Sequence, residues 1–233
     1  MKSRLAAGLA AHGLAPAEPV LDALLRYLEL VREGNQRAAL VGNDDPAELV
    51  DRHLVDSAVF LPPLAATAAR RVVDVGSGAG FPGLVLAVLD PALELTLVES
   101  RAKKVTFLEE AIERLGLPNV RVLAERAEVL GRDPDWRESW DAAVVRALAE
   151  LAAAVEIVLP LVRPGGVALF AKGPRAAEEV ERARRAIGEL GGGEPSVSAY
   201  GSVPFHLVRV EKARPTPAAY PRRAGVAQKR PLT

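Results

Sequence analysis

Between Arg70 and Leu190 the chain alternates short β-branched apolar runs with longer stretches whose apolar residues recur every three or four positions. Few folds accept that rhythm. Strands separated by helices build a mainly parallel sheet with helices on both faces. The expected strands are Val72–Val75, Leu93–Val98, Val120–Ala124, Asp141–Arg146 and Val167–Ala171. The helices expected between and after them are Pro82–Leu89, Arg101–Leu115, Ala127–Leu130, Glu150–Val162 and Ala176–Leu190, with Pro164-Gly165-Gly166 as a turn before the fifth strand. Val197–Val203 and His206–Glu211 leave no room for a crossover helix, so they are expected to pair antiparallel.

Ahead of this sheet the chain reads as helical. Leu21, Leu24, Leu25, Leu28 and Val31 form one apolar face over residues 18–33, and Gly34-Asn35 is the expected stop. A second stretch, "GNDDPAELVDRHLVDSAVFLPP", offers Asp44 or Asp45 as a cap, Pro46 at the first helical position and Pro62-Pro63 as its close. Three parts are therefore expected. Residues 1–69 form a helical cap, 70–212 a cofactor-binding α/β domain, and 213–233 a basic tail with four prolines and little periodicity.

Composition removes several functions. The formal net charge is zero, 30 basic against 30 acidic residues, so global charge predicts no polyanion partner. There is no cysteine, which excludes disulfides, thiolate metal sites and a cysteine nucleophile, and fits a cytoplasmic protein. The three histidines have no ligand spacing, so no metal site is expected. No apolar run approaches the roughly 18 residues of a membrane span. The start, "MKSRLAAGLAAHGLAPA", imitates a signal peptide, but Gly8, His12 and Gly13 interrupt it, so no cleaved signal is expected.

The chemistry begins at "VVDVGSGAGFPG", Val72–Gly83. Gly78-Ala79-Gly80-Phe81-Pro82-Gly83 matches the dinucleotide fingerprint, whereas Gly76-Ser77-Gly78-Ala79-Gly80 behind Asp74 matches the loop of S-adenosylmethionine enzymes. Glu99, at the end of the second strand, suits the ribose hydroxyls of either cofactor. Asp74 decides between them, because a carboxylate there favours a ligand carrying an ammonium and a sulfonium over a pyrophosphate. Pro82 removes a backbone N–H from the helix turn that would hold a pyrophosphate. "LVRPGGVALFAKG" (Leu161–Gly173), a helix ending in Pro-Gly-Gly before a fifth strand, is typical of the methyltransferase fold. The expected cofactor is S-adenosyl-L-methionine.

Further segments narrow the reading. "RHLVDS" (Arg52–Ser57), "DVGSGAGFPG" (Asp74–Gly83), "RAKKVTFLEEA" (Arg101–Ala111), "RAE" (Arg126–Glu128), "VRALA" (Val145–Ala149), "AKGP" (Ala171–Pro174), "HLVRVEK" (His206–Lys212) and the tail "PTPAAYPRRAGVAQKRPL" occur in this order. Together they resemble the bacterial small-subunit (16S) ribosomal RNA guanine-N7 methyltransferase family, also called the glucose-inhibited division protein B family, from about Val20 onward. The resemblance implies a Rossmann-like S-adenosylmethionine-dependent methyltransferase fold, an rRNA (guanine-N7) activity directed at guanine 527, and a partner that is 16S rRNA, the small subunit or an assembly intermediate. It carries cofactor contacts onto Gly76, Phe81, Glu99, Ser100, Arg101, Ala127, Glu128 and Arg146. Asp74 and Gly78 join them from the loop reading. Where the family usually has Asn-Leu-Thr ahead of the Arg-His helix, this chain has Ala39-Leu40-Val41, which leaves open how the cap is fastened.

His53, Asp56 and Ser57 share one helix face and are expected to close over the substrate. Three neighbours on one turn cannot arrange a nucleophile, base and orienter, so a hydrolase triad is a poor reading. Arg146 ends the fourth strand and Lys172 the fifth, where they are expected to hold the reacting base as the catalytic pair. Lys103 and Lys104, at the start of the helix after the second strand, and Arg222 and Arg223, in a tail of five cations and no acid that should bind phosphates independently of the cofactor, are the expected RNA contacts. A carbon-5 pyrimidine methylation needs a cysteine, and amine methylation commonly uses an Asn/Asp-Pro-Pro-aromatic turn where this chain reads Val145-Arg146-Ala147-Leu148. A ring nitrogen or a hydroxyl remains, and the resemblance implies guanine N7. The alternatives are a small-molecule methyltransferase, an NAD-dependent oxidoreductase and a non-catalytic ribosome-binding module. A monomer is expected.

Overall fold

The computed structural model describes residues 1–200 and 205–232. The N-terminal helices are α1 (Lys2–Ala10), α2 (Glu18–Ala38), α3 (Pro46–Leu49), a π-helical turn (Val50–Val55), α4 (Asp56–Ala58) and α5 (Leu61–Ala65). The sheet then alternates as expected. Its elements are β1 (Arg71–Val75), α6 (Gly83–Leu89), β2 (Glu94–Val98), α7 (Ala102–Leu115), β3 (Val120–Leu123), α8 (Ala127–Leu130), β4 (Trp140–Arg146), α9 (Leu151–Val158), β5 (Val162–Lys172), α10 (Ala176–Glu189), β6 (Ser196–Tyr200), β7 (Phe205–Glu211) and α11 (Val226–Lys229).

Among the described residues seven strands form one sheet in the order β3-β2-β1-β4-β5-β7-β6. The first five are parallel, and β7 pairs antiparallel with both β5 and β6. The expected strand Val197–Val203 begins one residue earlier, and its residues 201–203 lie outside the described ones. Because β1 lies between β2 and β4, the order reverses beside it. The carboxyl ends of these strands therefore open a crevice, the usual ligand position in such sheets.

Three boundaries differ from the sequence reading for physical reasons. Gly34-Asn35 does not stop α2, which runs on to Ala38. Gly34 is buried where α2 crosses α7, and a Cβ there would meet Phe107 and Leu40. The helix ends later, with Ala39 left-handed at φ 45° and the Asn35 side chain accepting from Leu40 N–H at 2.7 Å and Val41 N–H at 2.9 Å. Asn35 thus fastens the segment that lacks the family's usual polar residues. Asp45 caps α3, accepting from Ala47 and Glu48 N–H, with Pro46 at its start, but Pro62-Pro63 opens α5 instead of closing a helix. Proline fits the first turn, where its missing N–H has no intrahelical partner.

Pro164-Gly165-Gly166 is not a turn before β5. It is a bulge inside β5, which starts at Val162. Trp140 pairs with Val162 and Ala142 with Val167, so a step of two residues along β4 matches a step of five along β5. Gly165 takes φ 82° there, which allows the bulge without a Cβ clash. The helix before it is accordingly shorter than Glu150–Val162 and closes in a 3-10 turn, Leu159–Leu161.

The N-terminal helices share one apolar cluster with the sheet layer, in which Leu24, Leu28 and Val31 meet Leu84, Leu97 and Phe107. Leu5 and Leu9 of α1 are fully buried in the same cluster. Each buried leucine contributes roughly 1.5–3 kcal/mol of transfer free energy, so this face is a substantial part of the core. Among the described residues no helix is long and apolar enough to cross a membrane.

Candidate active site

β1 ends at Val75, and its glycine loop turns back under the second strand. Gly76 and Ser77 N–H donate to Val98 O at 2.9 and 3.1 Å, and Gly78 N–H donates to Glu99 Oε2 at 3.1 Å. Glu99 Oε1 accepts from Arg101 N–H at 2.8 Å, so this mostly buried carboxylate ties loop and helix start together. Gly76 has φ 75° and a Cβ on it would lie 2.8 Å from Leu148, so the cradle has room only for glycine.

Beside the loop lies a cavity of about 700 Å³. Of the expected cofactor residues, Gly76, Gly78, Glu99, Ser100, Arg101, Ala127 and Glu128 line it, together with Lys104. Its volume and its two buried acids fit a nucleoside-sized ligand with hydroxyls and an amino group to donate. The tail also contributes a wall residue, Gln228 of α11, which the sequence reading missed. Glu128 holds that wall in place by accepting from Gly225 N–H at 3.0 Å.

Three expected cofactor contacts, Asp74, Phe81 and Arg146, stand apart from this cavity, and Arg146 lines the neighbouring one instead. Asp74 is buried beneath the loop, where Oδ2 accepts from Gly83 N–H at 3.0 Å and Oδ1 has no partner. Burial pushes its pKa up to about 7, against the hydrogen bonds that stabilise its charge. Phe81 faces the other way, its ring centroid 5.2 Å from Tyr27, 4.8 Å from His53 and below the Arg146 guanidinium. It therefore supports the neighbouring cluster and does not cover the cavity.

That cluster borders a second cavity of about 610 Å³, lined among others by Arg52, His53, Asp56, Arg146, Lys172 and Tyr200. The two cavities share Ala147. Ala147 holds φ 56°, a left-handed conformation that costs an alanine about 1–2 kcal/mol and is tolerated at a place where the chain must bend sharply. Arg146, at the end of β4, donates to Ser57 Oγ at 3.3 Å and to His53 O at 3.5 Å, and its other arm meets His53 Nδ1 at 2.5 Å. A guanidinium only donates, so Nδ1 must accept and the imidazole proton sits on Nε2. Burial, reinforced by Arg146 and Arg52, lowers the His53 pKa to about 4. Burial also lowers that of Arg146, although its nearest acids pull the other way. Ser57 lies fully buried beneath the cluster, donating to His53 O. Among the described residues Asp56 faces the cavity without a hydrogen bond or ion pair, and burial raises its pKa, against the pull of Arg146 and Arg52.

Several expected contacts prove to be occupied elsewhere. Lys172 lines the second cavity, but its ammonium donates to Ala149 O at 2.6 Å and pairs with Glu179 at 2.9 Å. Glu179 also accepts from Leu151 N–H, so Lys172 braces the turn after Arg146 with two of its three donors while it lines the second cavity. Arg222 turns inward onto Glu156, whose carboxylate is fully buried, and donates to Arg230 O. Lys103 borders a separate cleft beside Gly34 and Arg37, while Arg223 is exposed on the tail. Among the described residues no group of three or more histidines and acids could hold a metal ion.

Sequence reasoning also missed how the helical cap reaches the loop. Tyr27 is fully buried and donates to Ala79 O at 2.5 Å, so α2 fixes the glycine loop directly. The apolar face of α2 predicts burial of Tyr27, but nothing local to the sequence identifies the carbonyl its hydroxyl would meet.

Known proteins agree with this geometry. A solved structure of the S-adenosylmethionine-dependent methyltransferase SibL is 19% identical and matches 84% of this chain and 70% of that one at a TM-score of 0.57. An S-adenosylmethionine-dependent O-methyltransferase of Thermotoga maritima is 16% identical over 70% of this chain and 66% of that one, at a TM-score of 0.52. At these identities the likeness speaks for the fold. Sequence relatives are much nearer. "Ribosomal RNA small subunit methyltransferase G" of Deinococcus deserti is 44% identical over 98% of this chain and 95% of its own. The protein of the same name in Roseiflexus castenholzii is 45% identical over 94% and 95%. The family described as rRNA small subunit methyltransferase G matches residues 20–207. Its span takes in the Arg146–His53 cluster and most of the donor cavity, and its cofactor, S-adenosylmethionine, fits the loop, Glu99 and Glu128 as they stand. By sequence, fold and cavity, the chain belongs to the rRNA small subunit methyltransferase G family.

Proposed function

We propose that this chain methylates N7 of a guanine in 16S rRNA, guanine 527 by the resemblance of its motifs, acting as a cytoplasmic monomer on the small subunit or an assembly intermediate of it. The observation that carries this reading is the junction at Ala147, where the donor cavity meets a second cavity headed by Arg146 and His53. Neither of these two residues is a base. Arg146 is a donor-only cation, and the His53 nitrogen that faces it already accepts the guanidinium proton.

A ring nitrogen with a free lone pair suits such a site. S-adenosylmethionine supplies the methyl group when bound, the N7 lone pair forms the new N–C bond, and the S–C pair stays on sulfur with no proton moved. The protein's part is alignment and exclusion of water. Glu99 and Glu128 hold the cofactor's ribose and base ends, and Arg146 holds the acceptor. N7 is poorly reached in the deep groove of paired RNA, so the guanine enters splayed out or from a loop.

The test is incubation of the protein with labelled S-adenosylmethionine and small subunits, or naked 16S RNA, from a strain lacking this activity. Borohydride and aniline should then break the RNA at one guanine. Label on a pyrimidine carbon or an exocyclic amine, or no transfer to either RNA, overturns the reading.

A further inference from the structure

The second cavity holds one acid whose acceptors no other described residue uses. Asp56 lines it, half-buried within reach of the Arg146 and Arg52 charges, and among the described residues forms neither a hydrogen bond nor an ion pair, whereas the guanidinium of Arg146 is already engaged by His53 and Ser57 on the same helical face. A half-buried carboxylate without a donor is costly to keep unless a ligand supplies one. Two neighbouring N–H donors on one edge would satisfy it as a pair.

The groups that line this cavity can be set against the edge of one purine. Asp56 and Arg146 line the second cavity only, Arg146 at the end of β4, and Ala147, the next residue, lines both cavities. The edge of guanine runs from the N2 amine through N1–H and O6 to N7. We infer that Asp56 reads the N1–H and N2 amine of the target guanine while Arg146 takes O6, which turns N7 across Ala147 toward the methyl donor; this rests on the N7 reading above. Arginine commonly takes O6 and N7 together, which would block the lone pair. Here three of its five N–H donors are held by His53 and Ser57, and one of the remaining two is assigned to O6. Tyr200 and Phe205, with ring centroids 6.1 Å apart, line the same cavity as an aromatic wall for the base.

The arrangement also excludes adenine. Adenine would present an amine to the Arg146 cation and a bare N1 to the Asp56 carboxylate, a mismatch at both contacts. As N7 gains its bond, positive charge spreads through the ring and the N1–H and N2–H become stronger donors. The carboxylate contact therefore tightens in the transition state and should act on kcat as well as KM.

The experiment uses the full chain and ligated 16S RNA carrying guanosine, inosine or adenosine at the target. Inosine keeps N1–H, O6 and N7 and lacks only the N2 amine. The parent protein should methylate inosine about ten-fold more slowly than guanosine and adenosine far more slowly still. Asp56→Ala should be about ten- to a hundred-fold slower on guanosine and should show no further loss on inosine. Asp56→Asn, which keeps the shape, should also lose the guanosine preference. Both variants should bind S-adenosylhomocysteine as the parent does, because Asp56 is not in the donor cavity. An unchanged guanosine-to-inosine ratio in both variants, or a parent that does not distinguish the two, overturns this inference alone. A parent that leaves guanosine RNA unmethylated overturns the functional reading and this inference with it.

Discussion

The helical cap and the C-terminal tail both flank the sheet, and they are attached by opposite means. The cap is held by apolar area, as Leu5, Leu9, Leu24 and Val31 are fully buried against the sheet layer. The tail is held by a few polar pins. Lys212 is fully buried and donates to Glu138, Thr216 Oγ1 and two backbone carbonyls, and Arg137 reaches the carbonyls of Thr216 and Tyr220. Arg222 then closes on buried Glu156, and Gly225 on Glu128. The tail is therefore part of the donor cavity and not a free basic arm. Apolar attachment tolerates change in small steps, whereas each polar pin leaves a buried charge behind when its partner goes.

The largest effect should come from Arg222→Ala, which removes the guanidinium paired with the buried Glu156 carboxylate and leaves it the residue-222 backbone N–H. We expect a loss of about 3–5 kcal/mol and a melting temperature lower by roughly 10 °C. Combining Glu156→Leu with Arg222→Met should restore most of that stability. If the single variant melts like the parent, the tail is not pinned as described.

Asp74 extends the same rule to the sheet itself. Its pKa is raised to about 7 in the folded protein against an ordinary 3.8, so the native state holds the proton more tightly than the unfolded chain. The folded protein consequently loses stability as pH rises from about 4 to 7. Asp74→Asn lacks that titration and should be more stable than the parent by on the order of 2–4 kcal/mol at pH 8, with the difference fading near pH 4. Denaturant unfolding at the two pH values measures it, and a difference independent of pH would contradict the buried, unpaired carboxylate.

On the cap side, Gly34→Ala tests close packing. In an exposed helix alanine would stabilise by about 1 kcal/mol, but here its Cβ would lie 2.6 Å from Phe107 and 2.9 Å from Leu40. We expect a net loss of about 1–2 kcal/mol by thermal unfolding. A gain would mean that α2 and α7 separate easily. The smallest effect should be Ala39→Gly, a gain of about 0.5–1 kcal/mol because the residue sits at φ 45°. Asparagine, usual in the family at this place, should help for the same reason. A loss on both substitutions would show that the Asn35 side chain alone sets this turn.

The sheet was legible because its signals are local. β-branched runs, helical periodicity and the Gly76–Gly80 loop act within a few residues, and the sequence by itself determined the strand order of appearance, the cofactor loop and the acids Glu99 and Glu128. Arg146 was also legible, as the last residue of a strand that must end at the crevice. What only the tertiary structure decided is which polar groups meet across long separations. Lys172 and Arg222 read as free cations until Glu179 and Glu156 are seen beside them. Tyr27 and Gln228 carry no local mark of their contacts with Ala79 and the donor cavity. Asp56 could be placed on a helix face but not known to lack a partner. The reason is physical. Burial of apolar area is set by periodicity along the chain, whereas a hydrogen bond or ion pair depends on ångström-scale distances between segments that only the folded core brings together.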